Sequence, residues 1–146
     1  MPTVRRSRVI AAAPERVWAT VADPHHLPRW WPRVARVEGV DGRHFTEVLR
    51  TERGKAVRAD FRVLESRAPE VRRWAQEVER SPFERILQSA ETEVRLHPEG
   101  DGTRVTLTLR QRLRGVATFG AFMVRGATRR QLDEALTALE GLHGRR

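Results

Sequence analysis

Residues 88–114, QSAETEVRLHPEGDGTRVTLTLRQRLR, decide the reading of this chain. Gln88, Ala90, Thr92, Val94 and Leu96 alternate with Ser89, Glu91, Glu93, Arg95 and His97. Beyond Glu99-Gly100-Asp101-Gly102, Val105, Leu107, Leu109, Gln111 and Leu113 alternate with Arg104, Thr106, Thr108, Arg110, Arg112 and Arg114. A period of two puts successive side chains on opposite faces of a strand. Gly and Asp between the two runs supply the turn. The stretch therefore reads as an antiparallel hairpin with one apolar face and one wet face. No helix follows the glycines, so they are a turn and not a phosphate loop.

The same pattern extends upstream. Val57, Ala59, Phe61 and Val63 oppose Arg58, Asp60 and Arg62. Further strands are expected over 34–40, from Phe45 to about Arg53, and over 71–80, with turns at Asp41-Gly42, Arg53-Gly54-Lys55 and Ser81-Pro82. Residues 4–11 form a first strand. Pro14 then suits the first turn of a helix, where its missing N–H costs nothing, and Glu15 complements the helix dipole. Val17, Trp18, Val21 and Ala22 recur at helical spacing until Asp23-Pro24 stops them. Residues 25–31 suggest a second short helix, ended by Pro32.

Downstream, residues 117–142 read as one long helix. Phe119, Phe122, Met123 and Gly126 fall on one side of it, and Leu132, Ala135, Leu136 and Leu139 roughly opposite. Such a helix is either broken near Gly126 or covered on two faces. The predicted fold is α+β: an antiparallel seven-stranded sheet wrapped around a long C-terminal helix, with two short helices after the first strand.

A length of 146 residues fits one domain spanning 1–146. There is no cysteine, which excludes disulfides, thiolate nucleophiles and cysteine-ligated zinc and agrees with a cytoplasmic setting. No apolar run approaches the ~20 residues of a membrane span, so stable insertion is not expected. The basic N-terminus lacks the apolar run of a signal peptide. The net charge is +9, and Lys55 is the only lysine. The arginines are spread along the chain, many at alternate strand positions, which argues for a solvated exterior and against nucleic acid. Arginine at the expense of lysine also fits a GC-rich, bacterial coding bias. His25, His26, His44, His97 and His143 show no metal spacing, and no Ser-His-Asp set can be placed. No metal, cofactor or nucleotide is expected.

The stretch Ile10–Pro24, IAAAPERVWATVADP, followed by Pro28–Pro32, PRWWP, resembles the opening of START-like helix-grip proteins. It is most similar to the polyketide cyclase/dehydrase-like branch of the SRPBCC superfamily. The resemblance implies a deep cavity between sheet and C-terminal helix. It does not imply one reaction, because the fold serves cyclases, lipid-transfer domains and ligand binders alike.

Candidate ligand-binding residues follow from the predicted inward faces. Phe45, Phe61, Trp74, Phe119, Phe122 and Met123 suit a pocket for a planar or acyl ligand and equally an ordinary core. Trp18 is expected in the core. Trp30 and Trp31 are adjacent and are expected to diverge, one packing under the helices and one lining a pocket mouth or lying exposed. Glu47, Gln76, Gln88 and Gln111 are polar positions on otherwise apolar faces. A buried polar group without a partner costs about 1–3 kcal/mol, so several together suggest a wet or ligand-filled interior or a self-satisfied network. Glu47 is the one inward carboxylate available for catalysis, and His44 beside it points the other way.

The expected function is binding of a small apolar molecule such as a lipid, polyketide or isoprenoid, near the first half of the long helix. One alternative is a cyclase/aromatase-type enzyme acting in the same cavity. Another is an interaction domain that docks an acidic partner through its arginines. Monomer and homodimer both remain open.

Overall fold

A computed structural model describes residues 3–115 and 118–143, the side chains at 118, 119, 121 and 122 excepted. In chain order the elements are β1 (Thr3–Ile10), α1 (Pro14–Val21), a 3-10 turn (Pro24–His26), α2 (Leu27–Trp30), β2 (Val34–Glu38), β3 (His44–Arg50), β4 (Ala56–Arg67), β5 (Val71–Gln76), β6 (Leu87–Glu99), β7 (Gly102–Leu113) and α3 (Thr118–His143). The strands form one antiparallel seven-stranded sheet in the order β1-β7-β6-β5-β4-β3-β2. From β2 to β7 each strand pairs with the next in sequence, so the chain meanders, and β1 adds to β7 at the far edge.

Pro14 opens α1 with Glu15 in its first turn, and Val17 and Val21 are the residues it buries. The Asp23 carboxylate then accepts from the His25 backbone N–H at 3.0 Å and caps the short turn that follows. Gly100, at φ 59°, starts the two-residue turn of the β6–β7 hairpin. Gly102 is needed for a different reason: a Cβ there would collide with the Ile10 carbonyl where β1 ends against β7. Helices bridge the sheet's two edges. α3 lies chiefly on β1, α2 lies on β2, and α2 and α3 touch each other.

α3 is one unbroken helix of 26 residues. Leu132, Ala135, Leu136 and Leu139 are fully buried in the main core with Val4, Ile10, Val105 and Leu107. The inward stripe continues one turn earlier through buried Thr128. An ion pair and a hydrogen bond join the same surfaces. Arg6 Nε donates to Asp133 Oδ1 at 2.8 Å, and Arg8 Nη1 to Thr137 Oγ1 at 2.8 Å.

The convex face carries the charge expected of a wet surface, but much of it is paired. Glu65 accepts from Arg67 and Arg73 at 2.7 and 2.9 Å. Glu91 accepts from Arg73 and Arg110 at 3.0 and 3.3 Å. Near the other edge, Glu38 pairs with Arg36 and Arg58 at 2.7 and 2.6 Å.

Several strand ends fall short of the sequence expectation, that of β5 most of all. β5 stops at Gln76 and not near Arg80, because Val78 turns into a small second cluster with Leu87 and Ala90. The β5–β6 pairing ends at Ala75 and Glu91, and residues 77–86 form the connection.

Candidate functional site

Antiparallel register lines up the concave face in rows. One row runs Phe45, Phe61, Gln76 across β3, β4 and β5, and on β6 and β7 Ala90 pairs with Gln111. A neighbouring row holds Val37, Glu47 and Ala59. Another holds Val63, Trp74, Thr92, Leu109 and Val4. Directly opposed side chains lie about 5 Å apart, so each group's neighbours can be read from the register.

Aromatic rings form the floor. Phe45 stacks on Phe61 with centroids 5.2 Å apart and planes at 11°. Trp74 meets Phe45 edge-on at 6.3 Å, and Trp31 meets Trp74 in the same way at 6.3 Å. Trp30 in turn lies perpendicular to Trp31 at 5.3 Å. Both tryptophans are buried, so neither stands in solvent, and both edge a shallow pocket with Glu134 and Ala138 of α3. Trp30 ends α2, while Trp31 is already extended at φ −92°, ψ 126°. The change of backbone conformation sends both rings inward by different routes. Trp31, not Trp30, completes the contact with Trp74.

Glu47 is the anomaly of this floor. It is 3% exposed, it is flanked across the sheet by Val37 and Ala59, and it makes no hydrogen bond or ion pair among the described residues. Burial pushes its carboxyl up to about 8, because a charge in an apolar setting cannot recover its hydration. Near neutrality it is therefore mostly an uncharged acid, able to donate one hydrogen bond as well as accept.

Gln76 adds a second unsatisfied group. Its Nε2 is buried and has no partner among the described residues. Gln111 is better placed: its Oε1 lies 3.3 Å from the Thr128 hydroxyl on α3, which is also 2.9 Å from the Val124 carbonyl. Arg72, passed over in the sequence reading, shares the face of Trp74 and Gln76 by strand parity. Its guanidinium is held below its usual value by burial, with Asp23 acting in the opposite direction, and its Nη1 donates to Ser66 Oγ at 3.0 Å.

Two pockets flank the β5–β6 connection. One of about 630 Å³ is lined by Ser81, Pro82, Glu84, Arg85 and Arg114. The other, about 820 Å³, opens where β5 and β6 part company and reaches Gln76, Val78, Gln88 and Ala90 as well as Arg62 and Arg110 on the outer side. Phe83, from the connection, packs against both apolar clusters.

Of the predicted site residues, Phe45, Glu47, Phe61, Trp74 and Gln76 come together on the concave face, with Gln111 at the far end of the row beneath α3. Gln88 does not join them inside. The β6–β7 register slips between Leu87 and Ser89, and Gln88 is exposed at the pocket rim. Met123 is 59% exposed. The inward stripe passes through Thr128 and Leu132, and Met123 lies off it by helical rotation. The side chains of Phe119 and Phe122 lie outside the described residues. His44 is exposed near Asp41 and Glu77, on the other face from Glu47 as its strand position requires.

The sequence matches, over residues 1–143, the family described as "Polyketide cyclase / dehydrase and lipid transport". The chain belongs to this family. Solved structures share the fold. A START superfamily protein from Mycobacterium smegmatis superposes with a TM-score of 0.78 at 17% identity, over 97% of this chain and 96% of the other. TTHA0849 from Thermus thermophilus is 27% identical, with a TM-score of 0.73 over 96% of this chain and 95% of the other. The di-domain ARO/CYC protein BexL of the BE-7585A biosynthetic pathway gives a TM-score of 0.78 at 19% identity, over 97% of this chain and 46% of its own. No protein of curated function matches the sequence. Among the described residues there is no cluster of metal-ligating side chains, and no helix is long and apolar enough to cross a membrane. For this polyketide cyclase/lipid transport family member, a hydrophobic ligand-binding or cyclase role fits the fold.

Proposed function

We propose that the protein binds a small apolar molecule against the concave aromatic floor, and that Glu47 and Gln76 hold the one polar end of that molecule. The observation that carries this reading is the pair of buried, unpartnered polar groups in an otherwise apolar bed. Buried polar groups are nearly always satisfied, and leaving one unmade costs about 1–3 kcal/mol. A protonated carboxyl and an amide N–H are both donors, so the ligand presents acceptor oxygens such as carbonyls on a flat or acyl framework. Ala59, a small residue, stands across from Glu47, and Gln76 and Ala90 line the pocket beside the β5–β6 connection.

Native mass spectrometry of purified protein, with extraction of what copurifies, tests the proposal. The expected result is a bound apolar species carrying carbonyl oxygen, retained less by Glu47→Leu and by Gln76→Leu. A wild-type protein that stays empty and binds no such ligand on titration overturns it.

The raised Glu47 carboxyl also favours a second reading, catalysis of a cyclisation. A group that titrates close to neutrality inside an apolar site can give and take a proton during aldol closure and loss of water. Turnover of a poly-carbonyl substrate, abolished in Glu47→Gln while binding persists, would separate catalysis from simple carriage.

A further inference from the structure

From Gly102 to Leu132 the sequence contains no Asp or Glu. Arg104 and Arg110 in that run are paired with glutamates on the convex face. Arg112, Arg114 and Arg125 are exposed and form no ion pair among the described residues. The meander puts all three at one end of the sheet. β7 finishes there, α3 starts there, and the β5–β6 connection brings Arg85 to the same place. The Arg114 N–H donates to the Ile86 carbonyl at 3.0 Å, and Arg85 and Arg114 line one pocket together. The β3–β4 turn ends on this side too and adds Arg53 and Lys55. The acids of this end, Glu52, Glu77, Glu79 and Glu84, are fewer than its cations. The opposite end carries Asp41, Glu70 and Asp101 in its turns.

Apolar side chains stand among these cations. Ile86 is 55% exposed beside Arg85 and Arg114, and Met123 is 59% exposed one and a half turns before Thr128 on α3. Exposed aliphatic groups surrounded by arginine suit an interface with headgroups outside and acyl chains within. A protein partner would offer a shaped groove for its apolar anchors, whereas here they stand singly on turns and helix.

We infer that this end of the molecule docks on an anionic lipid bilayer, with the unpaired arginines over the headgroups and Ile86 and Met123 dipping between them. Docking places the concave site's open end, beside the β5–β6 connection and the first half of α3, against the reservoir in which an apolar ligand dissolves. The attraction is short-ranged and screened by salt.

Cosedimentation with vesicles tests this without knowledge of the ligand. One set is phosphatidylcholine alone and the other phosphatidylcholine and phosphatidylglycerol in equal parts. Wild-type protein should bind the mixed vesicles, ignore the neutral ones and detach as salt rises. Arg85→Glu with Arg114→Glu should weaken binding by about 25-fold or more, at about fivefold for each arginine removed from the surface. Arg85→Gln with Arg114→Gln should weaken it less, and Ile86→Ser should lower binding without changing its salt dependence. Arg16→Glu, on α1 at the opposite end, should bind like wild type, with circular dichroism confirming that every variant folds. Failure to bind mixed vesicles overturns the inference, as does equal loss in Arg16→Glu. Salt-sensitive capture of an acidic protein without vesicle binding also overturns it. Ligand retention measured in solution is unaffected by any of these outcomes, so the concave site stands or falls separately.

Discussion

The two faces of the sheet treat the same residue type in opposite ways. On the convex face Glu65 lies between two arginines, whose hydrogen bonds hold its carboxyl below the ordinary range. On the concave face Glu47 has no arginine and no backbone donor among the described residues, and burial raises its carboxyl to about 8. The backbone and strand chemistry are the same, so the difference comes from the neighbours: Arg73 across from Glu65 and Arg67 two residues along its strand, against Val37 and Ala59 across from Glu47. The convex face is finished without a partner. The concave face is complete only where α3 covers it, and around Glu47 and Gln76 it retains donors with nothing to receive them.

The largest effect should come from the covered part of the concave face. Leu136→Ala removes a fully buried side chain between α3 and the sheet and should cost about 2–5 kcal/mol in denaturant unfolding. A much smaller loss would show that the second half of α3 is not the anchor, and would undo the division of the concave face into a covered and an uncovered half.

Glu47 should come next, with a sign opposite to that of most carboxylates. Its folded value lies above its unfolded one, so the folded state binds more protons across the window from about 4.5 to about 8. Stability therefore falls as pH rises through that window, by up to about 1.4 kcal/mol per unit. Glu47→Gln should abolish this slope. The variant should melt higher than wild type near pH 8 and converge with it near pH 4.5. Parallel melting curves across the window would mean that Glu47 has a partner.

Much of this contrast was legible in the sequence, and the reasons for the rest are specific. The alternation over Val57–Val63 and Gln88–Leu113 sets strand parity, and parity alone put Glu47 inward and His44 outward. It could not show that Glu47 lacks a partner, because that depends on Val37 and Ala59 lying opposite, which is a matter of register between strands. Gln88 was misplaced for a related reason: a slip of one residue between Leu87 and Ser89 reverses the face it takes. Arg72 was overlooked although it lies two residues before Trp74, because arginine on an alternating strand reads as exterior by habit. The long helix presented two apolar sides on paper. In the fold the inward stripe is fixed by Thr128 and Leu132, and those positions gain their meaning only from Gln111 and the β1 arginines across from them.

A smaller effect tests whether the orphaned amide belongs to a ligand. Gln76→Leu removes a buried N–H without a partner and should stabilise the empty protein by about 1–3 kcal/mol, the cost of such a group. The gain should shrink or reverse in protein saturated with its ligand, because the wild-type amide then has an acceptor. Equal gains with and without ligand would remove Gln76 from the site.

The smallest change should fall on the convex face, where one might expect the charge ladder to matter most. Glu91→Gln breaks contacts with Arg73 and Arg110, yet all three side chains are about a third exposed. Water replaces much of what is lost, and exposed pairs of this kind are worth at most about 1 kcal/mol each. The melting temperature should shift by a few degrees at low salt and by less as salt rises. A loss matching that of Leu136→Ala would mean that the ladder holds the sheet together, and that the contrast between a finished face and an unfinished one has been drawn in the wrong place.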